Sequence, residues 1–524
     1  MRRRLSTRIA AAGLALGLSS LALAACGSGA PGGGDSGTGA PTEITMLVLG
    51  NKPTNGRLEA MLEQLNARLT QEANATLDLF YVEWADWQTQ YNVQLLSGDS
   101  SIDLITTATD WLYAWENAKK GAFLPLSEEM LQTNAPKTWE QVNAAGDWEL
   151  TQLDDGQIYF IPEDNFTQYT NHGFFYRGDW ATEAGIPDGT ITRFEQFTDY
   201  FSWVKQNKPE AYPWDIAGGN EAALTGYIAG HTDFQTIQQL SAGNYYPFQT
   251  TEADPYTITS AYMEGDAIIR AAELAKEWND IGVWREDALN YSGETREQFY
   301  AGLSGADQHH TQTFLTGIVS RMNESQPGSD PKMFYFGQEN GNFFKDIKTH
   351  GAMAVSANSA NPEKALQVYD LLRNDEESYR YINFGIEGVD YVITEDNLLG
   401  TPEGYDPATD GLGANFWAGR MDEFELDRVT DAPNKREVFA ELDKVAKDYP
   451  YSTLIFNKDA IDPSLAAMGG VLAEYIPQLQ YGKFADPAAA VAEMRQKLND
   501  AGYEAVRESL QADMDAWASE KGLK

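Results

Sequence analysis

The feature that most limits the fold of this chain is an alternation of short apolar strands and amphipathic helices near its start. Residues 44–49 (ITMLVL) are almost wholly apolar, as expected of a strand that is buried on both faces of a sheet. Leucine and methionine then recur at helical spacing over residues 56–73. The alternation continues with strands at 77–82 and 102–106 and with helices at 86–96 and 111–120. This β-α-β-α-β order predicts a parallel sheet with right-handed crossovers.

Ligands bind such sheets beyond the carboxyl ends of the strands, so the first binding loops to consider are 50–55, 83–86 and 107–111. Farther along, the apolar spacing predicts helices at 193–206 and 261–280, a strand at 353–355, a helix that starts at Asn361-Pro362-Glu363, and mostly helix from about residue 434. No repeat of 20–50 residues is present, which argues against a solenoid or a propeller.

The start of the chain has the pattern of a secretory signal. Four arginines, Arg2, Arg3, Arg4 and Arg8, precede an apolar stretch at 9–23 that is too short and too interrupted to span a membrane well. The sequence Leu23-Ala24-Ala25-Cys26-Gly27 resembles the bacterial lipobox, in which the chain is cut before a cysteine that is then lipidated. The alternative is an ordinary signal with a chance cysteine.

The lipobox resemblance implies that residues 1–25 are removed and that Cys26 carries the lipid. Residues 26–41, rich in Gly, Ser and Pro, would then be a flexible tether. We therefore expect a protein that is lipid-anchored to the cell membrane on its extracellular face. Because Cys26 is the only cysteine, an internal disulfide and a cysteine-based zinc site are excluded.

Charge and motif content exclude further classes. The 524 residues include 78 acidic and 38 basic side chains, a net charge of −40 that disfavours nucleic-acid binding. The chain has no G-x-S-x-G, no P-loop, no H-E-x-x-H and no calcium-binding loop of the EF-hand type. His309 and His310 are adjacent and would point apart on a regular element. We therefore expect no cofactor and no metal.

Several segments resemble the solute-binding proteins of bacterial ABC importers, in particular the large lipoprotein group that takes up oligosaccharides. The most specific is Asn383-Phe384-Gly385-Ile386-Glu387-Gly388-Val389-Asp390-Tyr391, which is similar to the group's N-[YF]-G-I-E-G-x-x-Y. Asn361-Pro362-Glu363-Lys364-Ala365 matches its N-P-E-x-A helix start. Residues 156–162 (GQIYFIP) and 176–180 (YRGDW) are similar to its G-K-I-Y-G-I-P and Y-R-x-D-W.

The resemblance implies an α/β fold of the type II periplasmic-binding-protein class, with two lobes, each a central sheet flanked by helices, and extra C-terminal helices. Lobe 1 would be 42–164 plus 347–395, and lobe 2 would be 165–346 plus 396–524. Relatives that bind large acidic polysaccharide fragments often carry an Asp/Asn-rich calcium loop in the second lobe. This chain lacks that loop, which weakens both a calcium site and that substrate class.

A sugar presents apolar C–H faces and a rim of hydroxyls, so its cleft needs aromatic rings together with polar side chains. We take as candidate ligand-binding residues those in loops after strands or near the lobe crossings. From the first lobe these are Asn51, Trp84, Asp110 and Trp111; near the crossings they are Tyr169, Asn171, His172, Glu387 and Asp390; from the second lobe they are Trp214, Trp284, Tyr291, His309, His310, Gln312, Asn415 and Trp417.

Each candidate has a structural alternative. Asp110 is equally well explained as a helix N-cap, and Glu387 as a brace for the turn at Gly385–Gly388. The loop tryptophans are as well explained by burial in the core as by a place in the cleft. By contrast, Trp87, Trp115, Trp203 and Trp278 lie at helical spacing and are predicted to be core residues.

The function that these features favour is a binding protein, not an enzyme, that captures a short oligosaccharide and delivers it to an ABC permease. A neutral sugar is expected, with arabino- or xylo-oligosaccharides as the first candidates within that class. We also expect a monomer. The alternatives are a secreted glycan-active hydrolase or lyase, for which two suitably spaced carboxylates would suffice, and a peptide-binding importer subunit.

Overall fold

The structure of the protein is a computed structural model that describes residues 39–524, except 86, 154, 165–171, 219–221, 243, 292, 294 and 407–408. Residues Pro41–Lys524 form one compact unit. The signal segment and Cys26 lie outside the described residues, so their predicted roles stay predictions.

Short strands and longer helices alternate along the described chain. The strands are β1 (Thr42–Leu49), β2 (Ala75–Val82), β3 (Leu104–Thr107), β4 (Ile161–Pro162), β5 (Gly173–Arg177), β6 (Phe234–Thr236), β7 (Gln249–Thr251), β8 (Ala306–His309), β9 (Pro331–Tyr335), β10 (Ala352–Val355), β11 (Val392–Ile393) and β12 (Leu399–Gly400). The first nine helices are α1 (Arg57–Ala73), α2 (Trp87–Leu96), α3 (Ala114–Lys119), α4 (Glu128–Asn134), α5 (Pro136–Ala145), α6 (Gly178–Glu183), α7 (Gln196–Asn207), α8 (Ala222–His231) and α9 (Ala267–Ile281). The later helices are α10 (Arg296–Tyr300), α11 (Thr311–Thr313), α12 (Val319–Ser325), α13 (Pro362–Asn374), α14 (Glu376–Phe384), α15 (Lys435–Val445), α16 (Asp462–Gln480), α17 (Pro487–Asp500) and α18 (Tyr503–Glu520).

Several single helical turns complete the secondary structure. A π-helical turn at Phe314–Ile318 joins α11 to α12, and 3-10 turns lie at Asp147–Thr151, Pro187–Gly189, Lys348–His350, Trp417–Gly419 and Asp422–Phe424. Two of these turns, at Lys348–His350 and Trp417–Gly419, carry residues of the candidate site.

The first sheet contains five strands in the order β2-β1-β3-β10-β4. β1 pairs in parallel with β2 and β3, which confirms the parallel sheet predicted from the sequence. β10 lies antiparallel between β3 and β4, so the complete sheet is mixed. Pro162 is at the edge in β4, where a residue without an N–H group removes no ladder hydrogen bond.

Alternate residues of β1 enter two cores, as expected for a strand covered on both faces. Ile44 and Met46 pack with residues of α1 and α13, and Leu47 and Leu49 pack with residues of α2 and α3. Burial at about 25 cal/mol per Å² of apolar surface stabilises this arrangement of helices on both sides of the sheet. The predicted helices and strands between residues 44 and 120 are therefore confirmed, with shifts of a few residues at their ends.

The second sheet is antiparallel and has the order β8-β5-β9. Its central strand, β5, is buried along its whole length. Phe174 of this strand lies in a large core together with residues of α7 and α9. The C-terminal helices α16, α17 and α18 complete the same core, in agreement with the helical sequence expected beyond residue 434.

One later segment returns to the first sheet. Ala414, Phe416 and Ala418 pack in the core formed by β1, α1 and α13. Their part of the chain was assigned from the sequence to the second lobe, and this packing places it against the first sheet. The return brings Trp417 to the carboxyl ends of the first strands.

Candidate functional site

Three tryptophan rings meet at the carboxyl edge of the first sheet. The ring centroids of Trp84 and Trp417 are 5.8 Å apart with nearly parallel planes, and Trp111 lies 6.2 Å from Trp84 and 5.9 Å from Trp417. Trp84 is 43% exposed, which is unusual for so large an apolar side chain. We call Trp84, Trp111 and Trp417 the tryptophan platform. The structure thus brings together three residues that are 27 to several hundred positions apart in the sequence.

Neighbouring loops fix the platform. Trp84 follows β2, and its backbone N–H donates to Asn51 Oδ1 at 3.3 Å. Asn415 Nδ2 donates to the Leu49 carbonyl at 2.8 Å, which ties the segment before Trp417 to the end of β1. Asn415 Nδ2 approaches Gly50 so closely that a Cβ at residue 50 would lie 2.0 Å from it, and Gly50 has a φ of +145°. Only glycine fits that position.

Trp111 connects the platform to the chain crossing at residue 350. Its indole Nε1–H donates to the His350 carbonyl at 3.1 Å, and the two rings are 6.1 Å apart. Asp110 accepts a hydrogen bond from His350 Nδ1 at 2.7 Å. The helix that follows, α3, has Tyr113 at its N-cap, so the alternative role of Asp110 as that cap is wrong.

His350 lies between two acids. Burial alone would lower the pKa of His350, but the carboxylates of Asp110, Asp346 and Glu163 outweigh burial and raise it to about 10. Burial raises the pKa of Asp346, and the His350 charge opposes that rise. His350 is therefore an imidazolium at neutral pH.

Asp110, Asp346 and His350 place their potential metal-ligating atoms within 4.8 Å of one another. However, His350 Nδ1–H donates a hydrogen bond to Asp110, and a protonated nitrogen has no lone pair for a metal. The arrangement fits an ion pair that holds the crossing better than it fits a metal centre.

Glu163 is a buried acid beside the same crossing. Its backbone N–H donates to the Gly351 carbonyl at 3.0 Å, and its carboxylate lies against Gly351. Burial raises the pKa of Glu163 to about 8, despite the opposing charges of His350, Arg420 and Arg373. Its Oε1 atom is buried without a hydrogen-bond partner in the described structure, and a ligand hydroxyl or water would satisfy it.

A second group of rings lies at the end of the second sheet. The imidazoles of His172 and His309 are stacked with centroids 5.6 Å apart, and His310 lies 5.0 Å from His172 and 3.8 Å from His309. We call these three residues the histidine cluster. Burial lowers the pKa of His309 to about 3 and that of His310 to about 2, so both are neutral at physiological pH.

The expectation that His309 and His310 point apart is wrong. β8 ends at His309, and His310 is the N-cap of α11, so the backbone turns between them. The two Nδ1 atoms are 3.0 Å apart, and Thr313 Oγ1 is 3.0 Å from His310 Nδ1. The alternation of side chains applies within a strand and not across its end.

His350 lies beside the tryptophan platform and within electrostatic range of the histidine cluster. Its ring is 6.1 Å from that of Trp111, and its charge adds to the burial that lowers the pKa of His310. We call the tryptophan platform, the crossing residues Asp110, His350 and Glu163, and the histidine cluster the strip. Such a strip offers ring faces for an apolar surface and carboxylate, imidazole and amide groups for hydroxyls.

Other candidates lie away from this strip. Trp214 is fully buried and Trp284 is 4% exposed, and both pack in the core of the second sheet. Trp214 packs edge-on against Phe174, with ring centroids 4.7 Å apart. Because a buried indole has no free face for a ligand, the assignment of both residues to the cleft is corrected to the core.

Tyr291 stacks on the Arg285 guanidinium at 3.5 Å, and Arg285 pairs with the buried Asp215. This contact makes Tyr291 part of an ion-pair network. Gln312 follows the histidine cluster in α11 and is half-buried. Tyr169 and Asn171 lie outside the described residues, so their predicted roles stay predictions.

The glycine-rich turn at residues 385–390 is braced by Asp390 and not by Glu387. Asp390 is buried, accepts the Ile386 N–H at 2.8 Å, and pairs with Arg57 at 2.8 Å. Glu387 is exposed and lines a shallow pocket with residues of α14. Neither carboxylate makes a described contact with the tryptophan platform. Asp390 therefore has a structural role.

The sequence did not single out His350, Glu163 or Asp346. These residues follow no motif, and their segments differ little from other polar loops. Their one common signal is position, since each lies at a chain crossing that had been predicted near residues 164 and 347. A search of the crossings for titratable residues would have found them.

The fold defines a solute-binding protein. The chain matches the bacterial extracellular solute-binding protein family over residues 55–378, and it belongs to that family. Proteins of this family are binding components and not enzymes. Residues 450–519 also match a domain family of unknown function, DUF3502.

Individual relatives are similar along almost the whole chain. A carbohydrate ABC transporter substrate-binding protein of Streptococcus pneumoniae serotype 4 is 22% identical over 490 residues, which cover 91% of each chain. The crystal structure of the N-glycan transport solute-binding protein NgtS from Streptococcus pneumoniae has a TM-score of 0.71 and 20% identity, covering 92% of this chain and 100% of that one. NgtS in complex with Man1GlcNAc gives a TM-score of 0.68, 19% identity and coverage of 91% and 100%.

These likenesses confirm the predicted fold class, a two-lobed type II solute-binding fold. Within the described part of the chain, no helix is both long enough and apolar enough to cross a bilayer.

Proposed function

We propose that this protein captures an oligosaccharide along the strip between its first and second sheets and delivers it to the permease of an ABC importer. The observation that carries this proposal is the tryptophan platform, in which Trp84 remains 43% exposed beside two other indoles. An exposed group of large rings costs solvation free energy unless a ligand covers it. Sugar C–H faces are well suited to such rings.

Polar groups beside the rings also support a sugar as the ligand. Asp110, His350 and Glu163 lie at the crossing, and Asp110 Oδ1 and Glu163 Oε1 are buried without a hydrogen-bond partner among the described residues. Buried oxygen atoms of this kind accept hydrogen bonds from hydroxyl groups. A peptide would be expected to pair with backbone groups instead, so the side-chain set favours a polyol ligand.

The relatives support the same class of ligand. One is described as a carbohydrate-binding importer component, and another was crystallised with Man1GlcNAc. We propose a neutral oligosaccharide for this chain. Arabino- and xylo-oligosaccharides remain the first choice from the sequence, and mannose-containing glycan fragments are added because of NgtS.

Closure of two lobes around the ligand is part of the proposal. Lobe 1 is taken as 42–164 plus 347–395 and lobe 2 as the rest of the body, with the return of residues 412–418 to the first sheet as an additional crossing. Ion pairs join the two parts, among them Lys521 with Glu149 at 3.4 Å and Lys458 with Glu116. A ligand held by both lobes stabilises the closed arrangement by its differential affinity.

The location proposed for the protein is the outer face of the cell membrane. Lipidation at Cys26 would hold it there, and more than one acyl chain would make the attachment durable. Mass spectrometry of the membrane-extracted protein tests this proposal: an N-terminal lipidated Cys26 is expected, and a mature protein that begins elsewhere would contradict it.

A ligand screen tests the binding function. The mature body is heated with arabino-, xylo-, gluco- and manno-oligosaccharides and with short peptides, and ligands that raise the melting temperature are titrated by calorimetry. We expect a neutral oligosaccharide to bind and to be recovered unchanged. A shift with peptides alone would contradict the proposal.

A matched pair of variants assigns the binding to the platform. Trp417→Ala removes one platform ring, and Trp139→Ala removes one ring of the stacked Trp139–Trp148 pair, whose centroids are 5.2 Å apart outside the strip. Affinity should fall only in Trp417→Ala. An equal loss in both variants would argue for a general effect on folding.

A further inference from the structure

A short extended segment of the C-terminal region packs in two cores of the body. Residues 454–458 form neither helix nor strand and lie near the start of the region, 450–519, that matches the DUF3502 domain family. Leu454 and Phe456 are buried in the large core of the second sheet, whereas Ile455, between them, packs against the core of the first sheet that contains α2 and α3. Side chains alternate along an extended chain, so one segment reaches both cores. We call residues 454–458 the joint segment.

Polar contacts hold the joint segment to α3 at the first sheet. Lys458 forms an ion pair with Glu116 of α3. Lys119, one turn farther along the helix, donates from Nζ to the Phe456 carbonyl at 3.3 Å. The side chains of Lys458 and Glu116 are only 16% and 23% exposed, so salt screens this pair less than a pair at the open surface.

Other contacts hold the joint segment to the second core. Lys458 Nζ also donates to the Gln239 carbonyl at 3.1 Å, and the Asn457 N–H donates to Asp513 of α18 at 2.8 Å. Gln239 in turn donates from Nε2 to the Tyr451 carbonyl at 2.7 Å. The joint segment is therefore part of the second core, and its contacts with α3 cross to the first.

The loop before α3 carries a ring of the tryptophan platform. Trp111 lies two residues before Tyr113, which is the N-cap of α3 and has a φ of +55°. The Ala114 N–H donates to the Ala108 carbonyl at 3.0 Å and closes this loop. A residue other than glycine keeps a left-handed conformation only where its surroundings fix it. The position of α3 and that of the Trp111 ring are therefore coupled through a tight loop.

The platform is uncovered in the arrangement that these contacts hold. Trp84 is 43% exposed, and its described ring contacts are with Trp111 and Trp417 at the first sheet. A rigid-body rotation that brings the second sheet over Trp84 has to move the joint segment against α3, because each is held by its own core. Closure on a ligand therefore strains or breaks the contacts of the joint segment.

We propose that the joint segment opposes closure of the two lobes and thereby sets the affinity of the sugar site without touching the sugar. The apparent affinity of a ligand falls with the fraction of protein in the arrangement that binds it, so contacts that favour the open arrangement weaken binding. Ile455, Lys458 and Glu116 are then positioning residues. The inference rests on the proposed function, because it takes closure as the step that covers the platform. It also gives the first residues of the DUF3502 match a role.

Charge reversal at the ion pair tests the proposal. Glu116→Lys replaces attraction to Lys458 by repulsion and should shift the protein toward the closed arrangement. Small-angle X-ray scattering of the mature body without ligand should then give a smaller radius of gyration than the unaltered protein gives. Calorimetry with the arabino-, xylo-, gluco- or manno-oligosaccharide that binds in the screen should give an affinity at least about fivefold higher, the lower end of usual coupling between sites.

Two further variants and a control accompany the reversal. Glu116→Gln removes the charge without adding one, so it should shift both quantities in the same direction by less, and it serves if Glu116→Lys does not fold. Combining Glu116→Lys with Lys458→Glu restores opposite charges and should return both quantities toward their original values. Glu474→Lys makes the same change of charge within the C-terminal helices, where Glu474 pairs with Lys497 at 3.0 Å, and should change neither quantity.

The scattering and the calorimetry give separate grounds for rejection. An unchanged or larger radius of gyration in both Glu116→Lys and Glu116→Gln would overturn the proposal, and so would a lower sugar affinity in these variants. Because the scattering uses no ligand, it decides the role of the joint segment independently of the sugar. A smaller radius together with a screen in which no sugar binds would support that role and contradict the proposed function.

Discussion

Two loop regions carry tryptophans in similar sequence settings, and their rings lie in opposite environments. Trp84 and Trp214 both follow polar or turn-forming residues, and both were predicted to have comparable chances of lining a cleft. Trp84 is 43% exposed and stacks with other indoles at a sheet edge, whereas Trp214 is fully buried among phenylalanines. Turn-forming neighbours thus place a residue in a loop between elements, but they do not show whether its side chain is exposed or buried.

The largest expected effect is a loss of stability when Trp214, the buried tryptophan of the pair, is mutated. Trp214→Ala should lower the free energy of unfolding by about 3–5 kcal/mol, because it removes a large side chain and leaves a cavity. Urea denaturation measures the change. A loss below about 1 kcal/mol, together with a loss of ligand affinity, would show that the Trp214 ring belongs to the cleft after all.

The contribution of the Asp110–His350 ion pair to the free energy of unfolding is expected to depend on pH. Because the pKa of His350 is raised to about 10, its stabilising effect is complete below its unfolded value of about 6.5 and is lost as pH rises through 10. Asp110→Asn should cost about 1.5–3 kcal/mol at pH 6, the range for a hydrogen bond between charged groups, and should reduce this alkaline loss, to which Asp346 and Glu163 also contribute.

Asp147→Asn is the matched control for Asp110→Asn. It breaks the ion pair with Lys348, which lies two residues before His350, but leaves the imidazole and its partner unchanged. Denaturation curves measured from pH 6 to 10 should keep their pH dependence in this variant. A flat profile in Asp147→Asn would mean that the alkaline loss comes from another group.

For Trp84, the exposed tryptophan of the pair, we expect a mutation to reduce ligand binding with little loss of stability. Trp84→Ala should weaken oligosaccharide binding about tenfold, equivalent to about 1.4 kcal/mol, as expected for one stacking ring. Its free energy of unfolding should stay within about 0.5 kcal/mol of the original, since the ring is exposed. Calorimetry and denaturation of the same preparation measure both quantities, and unchanged affinity would remove Trp84 from the site.

The histidine cluster should respond to pH in the opposite direction from His350. Burial lowers the pKa of His310 to about 2, so stability is complete above the unfolded value of about 6.5 and declines as pH falls below it. His310→Gln should reduce this decline between pH 6.5 and 5, above the range in which most carboxylates titrate. An unchanged acid slope would show that His310 is accessible to protons in the folded protein.

The smallest effect is expected at the glycine-rich turn. Glu387→Gln should change neither ligand affinity nor stability by more than about 0.5 kcal/mol, because the side chain is exposed and away from the platform. Asp390→Asn should be the more damaging change, since Asp390 holds the turn and pairs with Arg57. A clear loss of affinity in Glu387→Gln would extend the site toward this turn.

Much of the fold was predictable from the chain because its signals are local and periodic. The strand at 44–49 and the helix at 56–73 were both found with small shifts at their ends. Trp115 and Trp278, predicted as core from helical spacing, are buried. The segment that returns to the first sheet at Phe416 was not foreseen, because a change of sheet leaves no periodic trace in an irregular stretch.

The candidate site was only partly predictable. The order of strands and helices directed attention to the loops that hold Trp84 and Trp111, and the structure brings these two rings together. The same reasoning wrongly included Trp214 and Trp284, and it missed His350 and Glu163. A residue at a crossing is close to both sheets, yet its sequence neighbours do not reveal this.

By itself, the sequence determined the class of fold, the family and the division of the chain into elements, since these depend on periodicity and on short motifs such as the one at 383–391. The tertiary structure decided which rings are exposed and which acids meet His350. The physical reason is that exposure and charge pairing depend on contacts between residues far apart in the chain. Local patterns fix the elements, whereas packing of those elements creates the sites.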